Sequence, residues 1–205
     1  MPELPELQAV AERLDAALGD GVLRRVDAYQ FSALKTVEPS PADLDGVRLK
    51  GVGRRGKYLL FDFGDLRLVI HLSQGGRLDV EDPPKRTAPK GAVARLTFVD
   101  RPSLLVKEFG TERKAAWWVL GRDDPGPLAG LGPEPFDEEF ARLVTGADDR
   151  RQLHTWLRDQ RTVAGIGRGF ADDILHHARL SPLGKMASLD SSERDRLVAS
   201  VRTVL

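Results

Sequence analysis

The sequence predicts an α+β fold: one leading helix, a β-rich stretch closed as a sandwich or barrel, and a helical domain behind it. Three observations predict this. Apolar residues recur at spacings of three and four near the N-terminus, short β-type runs fill residues 22–119, and helical periodicity takes over beyond a segment dense in Gly and Pro.

Taken in order, Leu7, Val10, Leu14 and Leu18 form the stripe of an amphipathic helix that stops at Gly19 and Gly21. Runs at Val22–Val26, Val47–Val52, Tyr58–Phe63, Leu66–Leu72, Ala92–Phe98, Ser103–Val106 and Ala115–Leu120 read as strands, with residues 71–80 (HLSQGGRLDV) as a further one. Glu81–Gly91, rich in Pro and Lys, reads as an exposed loop. GRDDPGPLAGLGPEP at 121–135 marks a linker, so the expected domains are 1–121 and 136–205, with 122–135 between them. Helices are expected at Phe136–Val144, Arg151–Arg158, Phe170–Ala178 and Ser191–Leu205. The last opens with a capping box, Asp190 with Glu193, and carries Leu197, Val198, Val201 and Leu205 on one side. That stripe runs to the final residue without a stop signal, which fits a fragment or a chain that ends earlier than its relatives.

The chain has 205 residues, 31 basic and 31 acidic, so net charge gives no support to a nucleic-acid partner. Arg54, Arg55, Lys57, Lys85, Arg86, Lys90, Arg113 and Lys114 nevertheless lie apart from the acidic segments at Asp123–Asp124 and Glu134–Glu139, which allows a basic face. Zero cysteines exclude disulfides and thiolate zinc sites, and four scattered histidines leave no metal expected. No apolar run spans a membrane and no signal peptide opens the chain, so the expected location is cytoplasmic.

The chemistry starts at MPELPE. Proline at position 2 permits removal of the initiator methionine, which leaves a secondary amine; α-amino groups titrate near ~7.7–8.0, so part of the population is unprotonated at neutrality. Such an amine can attack a sugar C1′ and form an iminium. Glu3 and Glu6 beside it can move protons, although two carboxylates at a helix start can equally do no more than complement its dipole. A second element is Gly53–Leu60 (GRRGKYLL), which alone is an ordinary basic turn between strands. A third is residues 160–182 (QRTVAGIGRGFADDILHHARLSP), where glycines on both sides of Ile166 permit a tight turn into a helix whose first N–H groups can hold a phosphate. LGPEP at 131–135 precedes it.

Together these segments resemble the formamidopyrimidine-DNA glycosylase and endonuclease VIII family over almost the whole chain. The resemblance implies a β-sandwich with a leading helix followed by a helix-two-turn-helix domain. It also implies a bifunctional DNA glycosylase and abasic-site lyase acting in base-excision repair on damaged double-stranded DNA as a monomer. It makes Pro2 the nucleophile that removes an oxidised base through a Schiff base, with strand cleavage by β-elimination. Glu3 is then the main acid–base group, Glu6 orders the Pro2 region, and Lys57 assists elimination near the lesion phosphate. DNA contacts are implied for Arg55, His71, Gln74, His154, Gly167 and Arg168.

The chain departs from the family at several of these positions. Arg168 stands where relatives carry asparagine, Phe170 for tyrosine, Asp173 for glutamate, and His154 for a phosphate-binding lysine. Gln74 replaces the methionine that fills the gap left by an extruded base. The arginine–phenylalanine loop of the purine-lesion branch is replaced by Lys107–Lys114, in which Phe109 is either a wedge or a strand-core residue. The usual zinc or zincless finger is absent from these residues. A lesion-binding protein with weak or lost catalysis is the alternative expectation.

Overall fold

A computed structural model describes residues 1–85, 87–110 and 112–205; Arg86 and Thr111, one in the expected basic set and one in the Lys107–Lys114 loop, lie outside the described residues. The chain divides into two compact units. One comprises Met1–Pro2 and Glu6–Pro127, the other Glu3–Pro5 and Leu128–Leu205.

The first unit opens with α1 (Leu4–Leu18), whose first two residues count with the other unit. Eight strands follow: β1 (Leu23–Ala28), β2 (Gly51–Arg55), β3 (Tyr58–Asp62), β4 (Leu66–His71), β5 (Gly76–Glu81), β6 (Ala92–Phe98), β7 (Ser103–Glu108) and β8 (Ala116–Gly121). They form a β-sandwich of two antiparallel four-stranded sheets, ordered β1-β6-β7-β5 and β2-β3-β4-β8. The period-2 rule decides which residues face inward. Leu59, Phe61, Leu68, Ile70, Trp117 and Val119 of the second sheet join Leu23, Ala94, Leu96, Phe98, Leu104 and Val106 of the first in one core. Leu7, Leu14 and Leu18 of α1 belong to the same core. Each fully buried Leu or Phe contributes on the order of 1.5–3 kcal/mol.

Three expectations from the sequence change here. Residues 71–80 are not one strand: β4 ends at His71 and the chain turns through Leu72–Gly75, with Ser73 at φ 53°, before β5 begins. The Val47–Val52 run becomes a strand only from Gly51, because Val47 and Leu49 bond instead to Leu23 and Gly21 around the end of α1. Glu81 does not open an exposed loop. It closes β5, is buried, and pairs with Arg95 at 3.0 Å while accepting from Ser103 Oγ at 3.1 Å.

The second unit holds α2 (Glu138–Gly146), α3 (Leu153–Arg158), α4 (Arg168–His177) and α5 (Ser191–Val204). Its core gathers Phe140, Val144, Leu153, Trp156, Ile166, Ile174, Leu175, Leu197 and Val201. The capping box at α5 is present: Asp190 accepts from Glu193 N at 2.8 Å, and the Glu193 carboxylate accepts from Asp190 N at 3.1 Å. Arg194 reaches back to the carbonyls of Val144, Ala147 and Met186, tying α5 to the end of α2. No helix among the described residues is long and apolar enough to cross a membrane.

Candidate active site

In the sandwich unit, Pro2 is half-buried and Met1 exposed. Pro2 lines a cavity of about 330 Å³ floored by Val10, Leu14, Leu72 and Leu78, with Arg13 and Arg77 as its charged residues. Glu6 is exposed in the first turn of α1, where its charge complements the helix N-terminus.

The basic turn lies between β2 and β3. Gly56 takes φ 56°, a conformation that glycine adopts without strain, and this closes the β2–β3 hairpin tightly. Register then sets Arg55, Tyr58, His71 and Ala116 in one row across the second sheet. Lys57, next to that row, is buried. The His71 ring packs on Tyr58 with centroids 4.8 Å apart, and Tyr58 in turn meets Trp118 edge-on at 6.0 Å. Burial, and after it the positive charge of Lys57, hold the His71 pKa below its ordinary value. At neutral pH His71 is therefore a neutral hydrogen-bonding group and not a cation.

Gln74 is exposed at the tip of the turn after β4. That turn is stitched to the end of β7: Phe109 N donates to Gly75 O at 3.0 Å, and a Cβ on Gly75 would lie 1.9 Å from the Phe109 carbonyl oxygen. Phe109 is 53% exposed, so it is not a core residue of the strand. Lys107 sits over its ring at 5.5 Å. Behind it the buried Glu108 carboxylate accepts from Lys114 N and Ala115 N at 2.6 and 2.7 Å through one oxygen; the other, Oε2, has no hydrogen-bond partner.

In the helical unit, the α3–α4 turn carries Gly165 at φ 95° and leads into α4. The N–H groups that open α4 are occupied by the chain's own Glu3. Gly167 N donates to Glu3 Oε2 at 2.5 Å, Gly169 N to Oε1 at 3.0 Å and Phe170 N to Oε2 at 3.4 Å. Leu4 N adds a bond to Gly165 O at 3.1 Å. A helix N-terminus is a ready anion site, and here a carboxylate fills it. The expectation that Gly167 offers its N–H to a DNA phosphate therefore meets a different occupant, Glu3, only 8% exposed. Arg168 beside it is exposed. His154 faces α4: its Nε2 lies 3.1 Å from Asp172 Oδ1, an ion-pair distance when the ring is protonated but off the angle of a hydrogen bond.

The structure thus brings Glu3 together with Gly167, sets Lys57 where its charge acts on His71, places Arg55 in the same row with Tyr58 between it and His71, and gives His154 a carboxylate neighbour. Gln160, which opens the motif at residues 160–182 but to which the sequence assigned no chemical role, frames the turn that holds Glu3.

A metal does not fit these residues. The chain has no thiolate, and among the described residues no group of three or more His, Asp or Glu side chains converges.

A β-sandwich unit and a helical unit whose glycine turn holds Glu3 are the two parts of a helix-two-turn-helix DNA glycosylase. The comparisons agree. Residues 1–111 match the formamidopyrimidine-DNA glycosylase N-terminal domain and residues 131–205 the H2TH domain of the same enzyme, and the chain belongs to the formamidopyrimidine-DNA glycosylase family. It is 34% identical over 214 residues to the formamidopyrimidine-DNA glycosylase of Moorella thermoacetica, covering 100% of this chain and 77% of that one. Against the Thermus thermophilus enzyme the figures are 35% over 214 residues, 100% and 74%. The solved MutM (Fpg) structure from Thermus thermophilus superposes with a TM-score of 0.84 at 32% identity, covering 98% of this chain and 74% of that one. MutM in complex with DNA containing carbocyclic 8-oxo-G gives 0.85 at 26%, covering 98% and 76%. The chain is accordingly an enzyme of base-excision repair, and lyase action at abasic sites is part of its family's activity.

Proposed function

We propose that this enzyme excises an oxidised base through a Schiff base on Pro2 and cuts the strand by β-elimination. The observation that carries the reading is the Glu3 carboxylate, clamped by three backbone N–H groups one residue after the amine. A flipped-out nucleotide exposes its C1′ to attack. The Pro2 nitrogen forms a bond to C1′, and the base departs with the electron pair of the glycosidic bond. Opening of the sugar ring gives the iminium, with Glu3 placed to pass the proton that the ring oxygen gains. Loss of a C2′ proton then expels the 3′ phosphate and leaves two strands. Glu6, exposed at the start of α1, orders water beside the amine. Lys57, Arg55, the neutral His71 and Gln74 supply DNA contacts from the first unit; from the second, Arg168 supplies a bidentate phosphate contact and His154 a further one.

We assign catalysis to residues 1–121, DNA grip to 136–205 and the connection to 122–135, with one copy acting on each lesion in damaged double-stranded DNA in the cytoplasm. Fpg proteins solved with abasic-site and tetrahydrofuran-containing DNA support such a ligand class.

Borohydride trapping tests the reading. Wild type mixed with an abasic-site duplex and borohydride is expected to give a covalent adduct. Pro2→Leu, which retains Met1, is expected to give none while still binding the duplex. Absence of an adduct from wild type protein that binds the duplex would replace the enzyme reading with that of a lesion binder.

A further inference from the structure

We infer that Gln160 is a positioning residue for Glu3, acting through the single peptide group between Ile166 and Gly167; the inference rests on the Pro2–Glu3 reading above. The side-chain amide of Gln160 grips the turn on two sides. Its Nε2 donates to Ile166 O at 2.7 Å and to Arg158 O at 2.9 Å, while its Oε1 accepts from Gly165 N at 2.9 Å.

The geometry of the peptide bond carries the effect to Glu3. Ile166 O and Gly167 N belong to one planar, trans unit, so the carbonyl and the N–H point in opposite directions and move together. Gln160 fixes the carbonyl end. The other end is the shortest of the three donors on Glu3, Gly167 N to Oε2 at 2.5 Å. Hydrogen bonds in such a chain polarise one another, so a donor on the carbonyl also strengthens the N–H. Gly165, held at its N–H by Gln160, presents its own carbonyl to Leu4 N. One amide thus secures the two groups that anchor residues 3 and 4, and through the backbone the residue before them.

No neighbouring group duplicates this among the hydrogen bonds of the described residues: the Ile166 carbonyl has Gln160 Nε2 as its side-chain donor, and the Gly165 N–H has Gln160 Oε1 as its acceptor. The backbone of Gln160 is committed elsewhere, its carbonyl accepting from Gly132 N at 2.9 Å, so the side chain is held in place from both ends.

The test measures binding and chemistry separately. Single-turnover borohydride trapping on an abasic duplex at saturating enzyme gives the chemical rate, and titration of a tetrahydrofuran-containing duplex gives Kd. Gln160→Ala is expected to slow trapping by about 10–100-fold while Kd stays within about threefold. Gln160→Glu adds a pH readout that a merely structural role would not move. It keeps the acceptor for Gly165 but, ionised, turns an oxygen against two carbonyls; protonated, its single O–H can donate to one of them, as one N–H of the native amide does. Its rate relative to wild type at the same pH is therefore expected to recover at least fivefold between pH 8 and pH 5.5. If Gln160→Ala does not fold, the Gln160→Glu ratio alone decides. An unchanged trapping rate, a Kd loss equal to the rate loss, or a ratio flat in pH overturns the inference. Wild type runs beside every variant: no wild-type adduct removes the enzyme reading itself, whereas a wild-type adduct with unaffected Gln160 variants removes only this one.

Discussion

Replacing Gly167 by alanine sets the Glu3 anchor against a single methyl group. A Cβ built at Gly167 lies 2.4 Å from Glu3 Cδ and Oε1 and 2.8 Å from Oε2, distances no methyl can keep. The backbone there, φ −120° and ψ −155°, accepts any residue, so strain is not the cause of the expected loss. The carboxylate is the far end of a flexible side chain and can retreat, but retreat breaks the 2.5 Å bond and misaligns the other two. Hydrogen bonds to charged groups contribute roughly 1.5–3 kcal/mol each, and only the shortest is fully lost, so a cost of about 2 kcal/mol is expected. For a unit of this size that corresponds to a fall of roughly 8–16 °C in Tm. Circular dichroism melts of Gly167→Ala in wild-type and Glu3→Ala backgrounds give the answer. With Glu3 truncated the methyl meets no carboxylate, and the added cost should shrink below about 0.5 kcal/mol. Equal costs in the two backgrounds would refute the reasoning, because the clash would then lie elsewhere.

Three further expectations follow from buried polar groups. Arg95→Met alone should destabilise by about 3–5 kcal/mol in denaturant unfolding, since it leaves the Glu81 carboxylate buried and unpaired, and adding Glu81→Leu should restore much of the loss. Glu108→Ala should cost about 1–3 kcal/mol and speed proteolysis between residues 109 and 114, because two backbone N–H groups lose their acceptor; unchanged proteolysis would argue against a clamp. His71, with a folded pKa below its ordinary 6.5, binds fewer protons when folded than when unfolded. Its penalty is therefore absent above about pH 6.5 and grows as pH falls toward the folded value, so stability rises with pH across that window. His71→Phe, which keeps a ring against Tyr58, should flatten the Tm profile between about pH 5 and 7, and an unaltered slope would remove His71 as its source.

The periodic elements were legible in the sequence. α1 ends at Leu18, where its stripe ends, and α5 starts at the cap that Asp190 and Glu193 spell. Strands were legible as apolar runs, but not which residues they bury together: Leu60 and Val69 are as apolar as Leu59, Phe61, Leu68 and Ile70, and only the sheet assigns the latter four to the sandwich core. What escaped were features made by tertiary contact. The turn after His71, closed by Gly76 N on Leu72 O, brings Gly75 against the Phe109 carbonyl, a neighbour no local pattern reveals. The identity of the candidate site was readable from motifs, but its wiring was not. Two glycines around Ile166 announce a turn without saying that residue 3 will occupy its donors, and His154 cannot be matched with Asp172 until α3 and α4 are seen to pack.

The placement of Glu3–Pro5 with the residues from 128 onward sets a timetable for synthesis. Glu3 leaves the ribosome well before its donors at Gly167, Gly169 and Phe170, which are translated more than 160 residues later. At roughly 5–20 residues per second that delay is about 8–30 seconds. The unit that holds Glu6–Pro127 can close during that time while Glu3–Pro5 wait for their partners. A nascent chain that ends before the α3–α4 turn carries Glu3 without the N–H groups that hold its carboxylate, so this segment acquires its seat only when the helical unit is made.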